Sequence, residues 1–120
     1  MIRGQFNRIW QRAVWSWAGF THVWQTEGSL HQWVWSNIAS AALAVLLPLS
    51  AGEAALILMG GIVVLAMECM NTAIERVVDD ISVAQRDRAR QAKDAGSAAV
   101  AISAIAVGVA WVCILIGLMI

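Results

Sequence analysis

Three apolar stretches, from about Val34 to Leu49, from Ala54 to Met67 and from Ala95 to Ile120, leave this chain little choice of fold. A bilayer hydrocarbon core of about 30 Å takes roughly 20 helical residues. The middle stretch reaches that length only by continuing through Glu68 towards Ile74. Composition agrees, since 60% of the 120 residues are hydrophobic and only 13% are charged, which lies outside the range of soluble domains. The expectation is one all-α integral membrane domain over residues 1–120, with an N-terminal amphipathic surface helix at about 5–26 and three transmembrane helices at 34–50, 54–80 and 94–120. The second of these should project a turn or two beyond the bilayer.

The eight Lys and Arg residues fall in two places: Arg3, Arg8 and Arg12 before the first span, and Arg76, Arg86, Arg88, Arg90 and Lys93 between the second and third. The positive-inside rule puts both regions in the cytoplasm and the C-terminus on the periplasmic side of a bacterial inner membrane. Around Pro48 to Glu53 there is no positive charge, and this turn belongs outside. No apolar signal segment precedes a cleavage site, so the N-terminus is expected to be retained. Cys69 and Cys113 lie towards opposite membrane faces and read as free, buried apolar residues.

Phe6, Ile9, Trp10, Ala13, Val14 and Trp17 repeat at helical spacing opposite Asn7, Arg8, Gln11, Arg12 and Ser16, the pattern of an interfacial helix. Six of the seven tryptophans precede residue 36, where indole suits the headgroup level.

Glu68, Asn71, Glu75 and Asp79 carry the chemistry. At about 100° per residue their offsets of 3, 7 and 11 from Glu68 put all four on one stripe of one helix. Glu68 is the deepest, and an acid at the centre of a spanning helix costs about 2.5 to 3.5 kcal/mol. Such a cost calls for protonation or a partner, and a protonated Glu in an interhelical hydrogen bond is the purely structural alternative. Nearer the boundary, Glu75 suits Mg²⁺, which takes one or two carboxylates plus phosphate oxygens and water. Glu27, at the end of the surface helix, is a candidate second carboxylate, with an ordinary solvated acid as its alternative. Lys93 and Asp94 open the third span at the same level, and Lys binds polyphosphate as a point charge; snorkelling to the interface is the alternative for Lys93. A deep base with boundary carboxylates and a boundary lysine fits phosphoryl transfer from a water-soluble donor to a lipid hydroxyl. No soluble-kinase signature is present.

The segments Glu68-Cys-Met-Asn71-Thr-Ala-Ile-Glu75-Arg-Val-Val-Asp79 and Ala92-Lys93-Asp94-Ala-Gly96-Ser97-Ala-Ala-Val100 closely resemble the signature of the small prokaryotic diacylglycerol kinases. Weaker likeness runs through Phe6 to Ile9, Ser16 to Gly19, Glu27 and Trp111, so it covers nearly the whole chain. The resemblance implies a homotrimer whose active sites are shared between subunits at the cytoplasmic boundary. It implies Glu68 as the general base on the lipid hydroxyl, with Asn71 positioning it, and Glu75 and Glu27 holding Mg²⁺ with ATP. Lys93, Asp94 and Asp79 would contact or orient the nucleotide. Arg8, Ser97 and Trp111 resemble family positions near nucleotide or lipid. Trp15 and Gln85 stand where relatives often have Tyr, and a stacking role on ATP suits Trp15 but not Gln85.

The expected reaction is MgATP-dependent phosphorylation of diacylglycerol to phosphatidate, with undecaprenol as the alternative lipid alcohol. A small oligomeric ion channel is a different class of reading, but it calls for polar groups continuing outward, and Ala54 to Met67 provides none. No nucleic-acid partner is expected.

Overall fold

The computed structural model describes residues 1–120 as four helices: α1 (Ile2–Thr26), α2 (Gly28–Leu46), α3 (Ala51–Ile81) and α4 (Asp87–Met119). A single extended residue, Glu27, with φ −121° and ψ 110°, separates α1 from α2. The aromatic groups bridge that break, for the Trp24 ring meets the His31 ring edge-on with centroids 4.0 Å apart.

Local chemistry sets the helix ends, and it moves several of them from their expected positions. The first apolar helix begins at Gly28 rather than 34 and stops at Leu46 rather than 50. Pro48 drives the early stop, because the residue before a proline is pushed out of the α region, and Leu47 is extended at φ −87°, ψ 152°. α3 opens on a capping box: Ser50 Oγ accepts from the Glu53 backbone N–H at 3.2 Å, and Glu53 Oε2 accepts from the Ser50 N–H at 2.7 Å. α4 starts at Asp87, well before the expected 94, so only residues 82–86 link it to α3. Within that link Arg86 donates to the carbonyl oxygens of Ser82 at 3.1 Å and Val78 at 3.4 Å, tying the link back to the end of α3.

α3 and α4 form an antiparallel hairpin, and α2 lies on α3. Glycines allow the close approaches. A Cβ on Gly60 of α3 would stand 2.8 Å from Val107 Cγ2 of α4, and one on Gly61 would collide with the Asn37 side chain of α2. Small surfaces of this kind let helices pack where lipid offers no hydrophobic drive for them to associate. At the end of the hairpin away from the link, Ala44, Ile57 and Ile114 form an apolar cluster with Trp111 packed against it.

Only 12 of 120 residues are buried, while Leu56, Ile62, Ile102, Ile105, Val109 and Ile116 face outward. Such a surface belongs in lipid or against another protein surface, not in water. α3 and α4 are each long and apolar enough to cross a membrane. The molecule measures 54 × 48 × 23 Å, and α1 is exposed from Ile2 to Gly19 because it extends away from the hairpin.

The Gly60 contact yields a test. Gly60→Ala should destabilise the hairpin by about 1–3 kcal/mol through overpacking, and Val107→Ala in the same chain should restore much of it. Unfolding in detergent measures both, and an unchanged Gly60→Ala midpoint would show that the two helices do not depend on this contact.

Candidate active site

The polar stripe of α3 faces the start of α2 on one side and α4 on the other. Glu68 is 4% exposed, and Ser29, two residues past the α1–α2 break, donates its hydroxyl to Glu68 Oε1. One turn on, Asn71 is also buried, and its Nδ2 donates to Glu75 Oε1 at 3.3 Å. Asn71 Oδ1 rests against Gly96 of α4 so closely that a Cβ there would collide with it, and it has no hydrogen-bond partner within the chain. Buried polar atoms are nearly always paired, so this oxygen, closed in against α4, is an exception that the tight seat on Gly96 imposes.

Glu27, Ser29, Glu68, Asn71, Glu75 and Ser97 line one open cleft of about 650 Å³, with Trp33 and apolar residues of α4 from Val100 to Ile105 completing its walls. Five residues named from the sequence therefore meet: Glu27, Glu68, Asn71, Glu75 and Ser97. A second cleft, of about 600 Å³, lies at the α3–α4 link and holds three more, Asp79, Lys93 and Asp94. Lys93 Nζ donates to Asp79 Oδ1 at 2.5 Å, and Arg90 pairs with Asp94 at 3.3 Å. Glu75 and Asp79 are four residues apart on α3, neighbours on one face, so the two clefts follow one another along the helix.

Three named residues lie apart. Arg8 and Trp15 are exposed on α1, about 27 Å and 16 Å along that helix from its end at Thr26. Trp111 is about 21 Å along α4 from Ser97, where its indole N–H donates to Ser40 Oγ at 2.8 Å. Within one chain, none of the three lines the cleft around Glu68.

The sequence offered no sign of two other groups. Ser29 has no motif around it, and Arg76 registered only as a topogenic charge. In the structure Arg76 forms an ion pair with Glu27 at 2.9 Å and also reaches His22 and Thr26.

A metal is tested by the donors present. No group of three or more His, Cys, Asp or Glu side chains converges as a cage. Glu27 and Glu75 each have one carboxylate oxygen engaged, by Arg76 and Asn71 respectively, and one oxygen with no partner in the chain. Two hard oxygens on one cleft fit Mg²⁺ carried with a nucleotide.

The sequence profile of the prokaryotic diacylglycerol kinases matches residues 14–115. The chain belongs to that family of lipid kinases. It is 36% identical over 118 residues to a diacylglycerol kinase of Pseudomonas aeruginosa, covering 97% of this chain and 96% of that protein. To the diacylglycerol kinase of Escherichia coli (strain K12) it is 34% identical over 111 residues, 92% of this chain and 90% of that one. A diacylglycerol kinase of Synechocystis is 30% identical over 102 residues, 84% of this chain and 58% of the longer relative. The match to the kinase family spans both clefts and Trp111, while Arg8 precedes the profile's first matched residue.

For this lipid kinase, the seat of Asn71 on Gly96 is expected to matter to rate. Gly96→Ala should displace the Asn71 side chain and slow phosphoryl transfer by on the order of a hundredfold, the scale of a 1 Å misplacement. Transfer of labelled phosphate to extracted lipid measures it, and a normal rate would free Asn71 from any positional demand.

Proposed function

We propose that this kinase transfers the γ-phosphoryl group of ATP to the hydroxyl of diacylglycerol, giving phosphatidate and ADP, at the cytoplasmic face of the inner membrane. The observation that carries the reading is the buried Glu68 carboxylate on the same cleft as Glu75 and Glu27, on a helix apolar enough to cross the bilayer. α2 serves as the third span, since its 19 residues measure about 28 Å, and α1 lies at the interface. The N-terminus and the α3–α4 link are cytoplasmic and the C-terminus periplasmic, as the distribution of Arg and Lys favours.

The lipid hydroxyl approaches Glu68 from the apolar side of the cleft. Ser29 holds one oxygen of that carboxylate, and the other accepts the hydroxyl proton as the alcohol oxygen attacks the γ-phosphorus. The bond from the γ-phosphorus to the β–γ bridging oxygen breaks, and ADP leaves with that electron pair. Asn71, seated on Gly96 and tied to Glu75 through its Nδ2, is a positioning residue between Glu68 and Glu75. Glu75 and Glu27 would hold Mg²⁺, which would supply charge neutralisation on the phosphate oxygens. Lys93 has three N–H donors and directs one at Asp79, which leaves two for the polyphosphate; Asp79 and Asp94 orient the cationic residues beside them. Ser97, on the α4 wall of the cleft, is a lipid contact in this reading.

Arg8 and Trp15 as nucleotide contacts, and Arg8 and Trp111 as lipid contacts, call for a second copy of the chain. Their distance from the cleft and the outward-facing apolar side chains favour a homo-oligomer, and the family likeness favours a trimer.

Glu68→Gln should abolish turnover while leaving the protein folded and ATP binding largely intact, because only the proton acceptor is lost. Labelled phosphate transfer from ATP into extracted lipid, run with diacylglycerol and undecaprenol side by side, reads it. Substantial turnover by the variant removes Glu68 as base, and wild-type preference for undecaprenol reassigns the substrate. Glu75→Gln should instead raise the MgATP concentration needed for half-maximal rate and also slow turnover, and an unchanged Mg²⁺ dependence would count against its role.

A further inference from the structure

The guanidinium of Arg76 is shared among three groups at the end of α1. Its NH1 stands 2.8 Å from His22 Nε2, and its NH2 donates to Thr26 Oγ1 at 2.7 Å and to Glu27 Oε1 at 2.9 Å. The Thr26 hydroxyl donates to the His22 carbonyl at 2.9 Å, so its lone pair is what receives Arg76. Facing an obligate donor, His22 Nε2 must accept, which puts the ring proton on Nδ1. Three acceptors thus fix one planar cation.

Glu27 has reason to need such a holder. It is the one non-helical residue between α1 and α2, and its carboxylate is partly exposed. Arg76 engages Oε1 alone. A carboxylate offers about four lone-pair sites over its two oxygens, so Oε2 keeps its full capacity for a cation.

We propose that Arg76 is a positioning residue for the divalent-cation site, holding Glu27 through Oε1 so that Oε2 and the neighbouring Glu75 meet the metal carried with the nucleotide. This rests on Glu27 and Glu75 being the carboxylates that hold Mg²⁺. Because Arg76 directly follows Glu75, a single turn of α3 presents one ligand and secures the other. Carboxylates that bind metals are commonly hydrogen-bonded in turn, and loss of the supporting group costs about 10- to 100-fold in metal affinity. A guanidinium acting merely as a nearby charge has the opposite sign, because removing a cation from beside a metal site tightens metal binding.

Mn²⁺, a hard oxygen-seeking stand-in for Mg²⁺, gives a readout that does not depend on turnover. Its affinity for the protein saturated with a non-hydrolysable ATP analogue is measured by electron paramagnetic resonance in wild type, Arg76→Ala, Glu27→Gln and the double variant. The expected result is about a tenfold or greater loss for Arg76→Ala, a loss for Glu27→Gln, and little further loss when the two are combined, since Arg76 acts through Glu27. Arg76→Lys should recover part of the loss.

Unchanged or tighter Mn²⁺ binding by Arg76→Ala overturns the proposal. So does an equal loss in both backgrounds, which is the behaviour of a strap that only anchors α1. Should Arg76→Ala fail to fold, Arg76→Gln takes its place under the same criteria. Glu27→Gln with wild-type affinity removes Glu27 from the metal site and takes the proposal with it, whereas weakened Glu27→Gln beside unaffected Arg76→Ala overturns the role of Arg76 alone.

Discussion

A carboxylate set into a helix that crosses a bilayer is tolerated only where the surrounding chain gives it partners and keeps it off the lipid. Glu68 meets both conditions. It is buried, and the Ser29 hydroxyl reaches it from α2. That contact depends on the break at Glu27, since a continuous helix through residues 26–29 would carry α2 away along the axis of α1. One extended residue therefore turns the chain, starts α2 over the polar stripe of α3, and leaves its own carboxylate at the mouth of the same cleft.

Closing that cleft from the other side falls to α4. Gly60 and Gly96 are on opposite helices, one accommodating Val107 and the other Asn71. Both work by the absence of a side chain, which in lipid is the means by which dispersion contact between helices outcompetes contact with acyl chains. The two glycines have different consequences, however. Gly60 lets two apolar surfaces meet, whereas Gly96 lets a polar side chain lie flat against α4 while its amide stays bonded to Glu75. Close packing and site geometry are thus the same contact at Gly96.

The legible parts of the molecule are those with a local period. The stripe Glu68, Asn71, Glu75 follows helical spacing, and the structure gathers those three with Glu27 and Ser97 on one cleft. The ends of the helices were less legible. Residues 28–33 and 87–93 fall outside the expected spans because they are polar or mixed, yet each forms the first turns of a helix whose apolar body lies downstream. The capping box of Ser50 and Glu53 was visible as Ser-x-x-Glu, but beside Pro48 it read as part of a turn. Pairings such as Ser29 with Glu68, or Arg76 with His22 and Thr26, join residues 39 to 54 positions apart, and no spacing rule anticipates them.

The two clefts divide charge in a way that suits two unlike substrates. Around Glu68 the ionisable lining is acidic, Glu27, Glu68 and Glu75, and the nearest cation, Arg76, is already engaged with Glu27. At the α3–α4 link the lining includes Arg86, Arg90 and Lys93 among Asp79, Asp87 and Asp94. An alcohol must lose a proton, and a carboxylate among other acids, relieved by a cation brought in with the substrate, is suited to accept it. A triphosphate brings several negative charges and is better met by cations held in place by acids than by bare ones, because paired Lys and Arg side chains are pre-oriented while retaining spare N–H donors. Glu75 and Asp79 stand at the boundary, four residues apart on one face of α3. On the proposed reading, one triphosphate spanning that helical turn would reach from the cations of the link to the alcohol at Glu68, a relation set by a single rigid helix rather than by a moving loop.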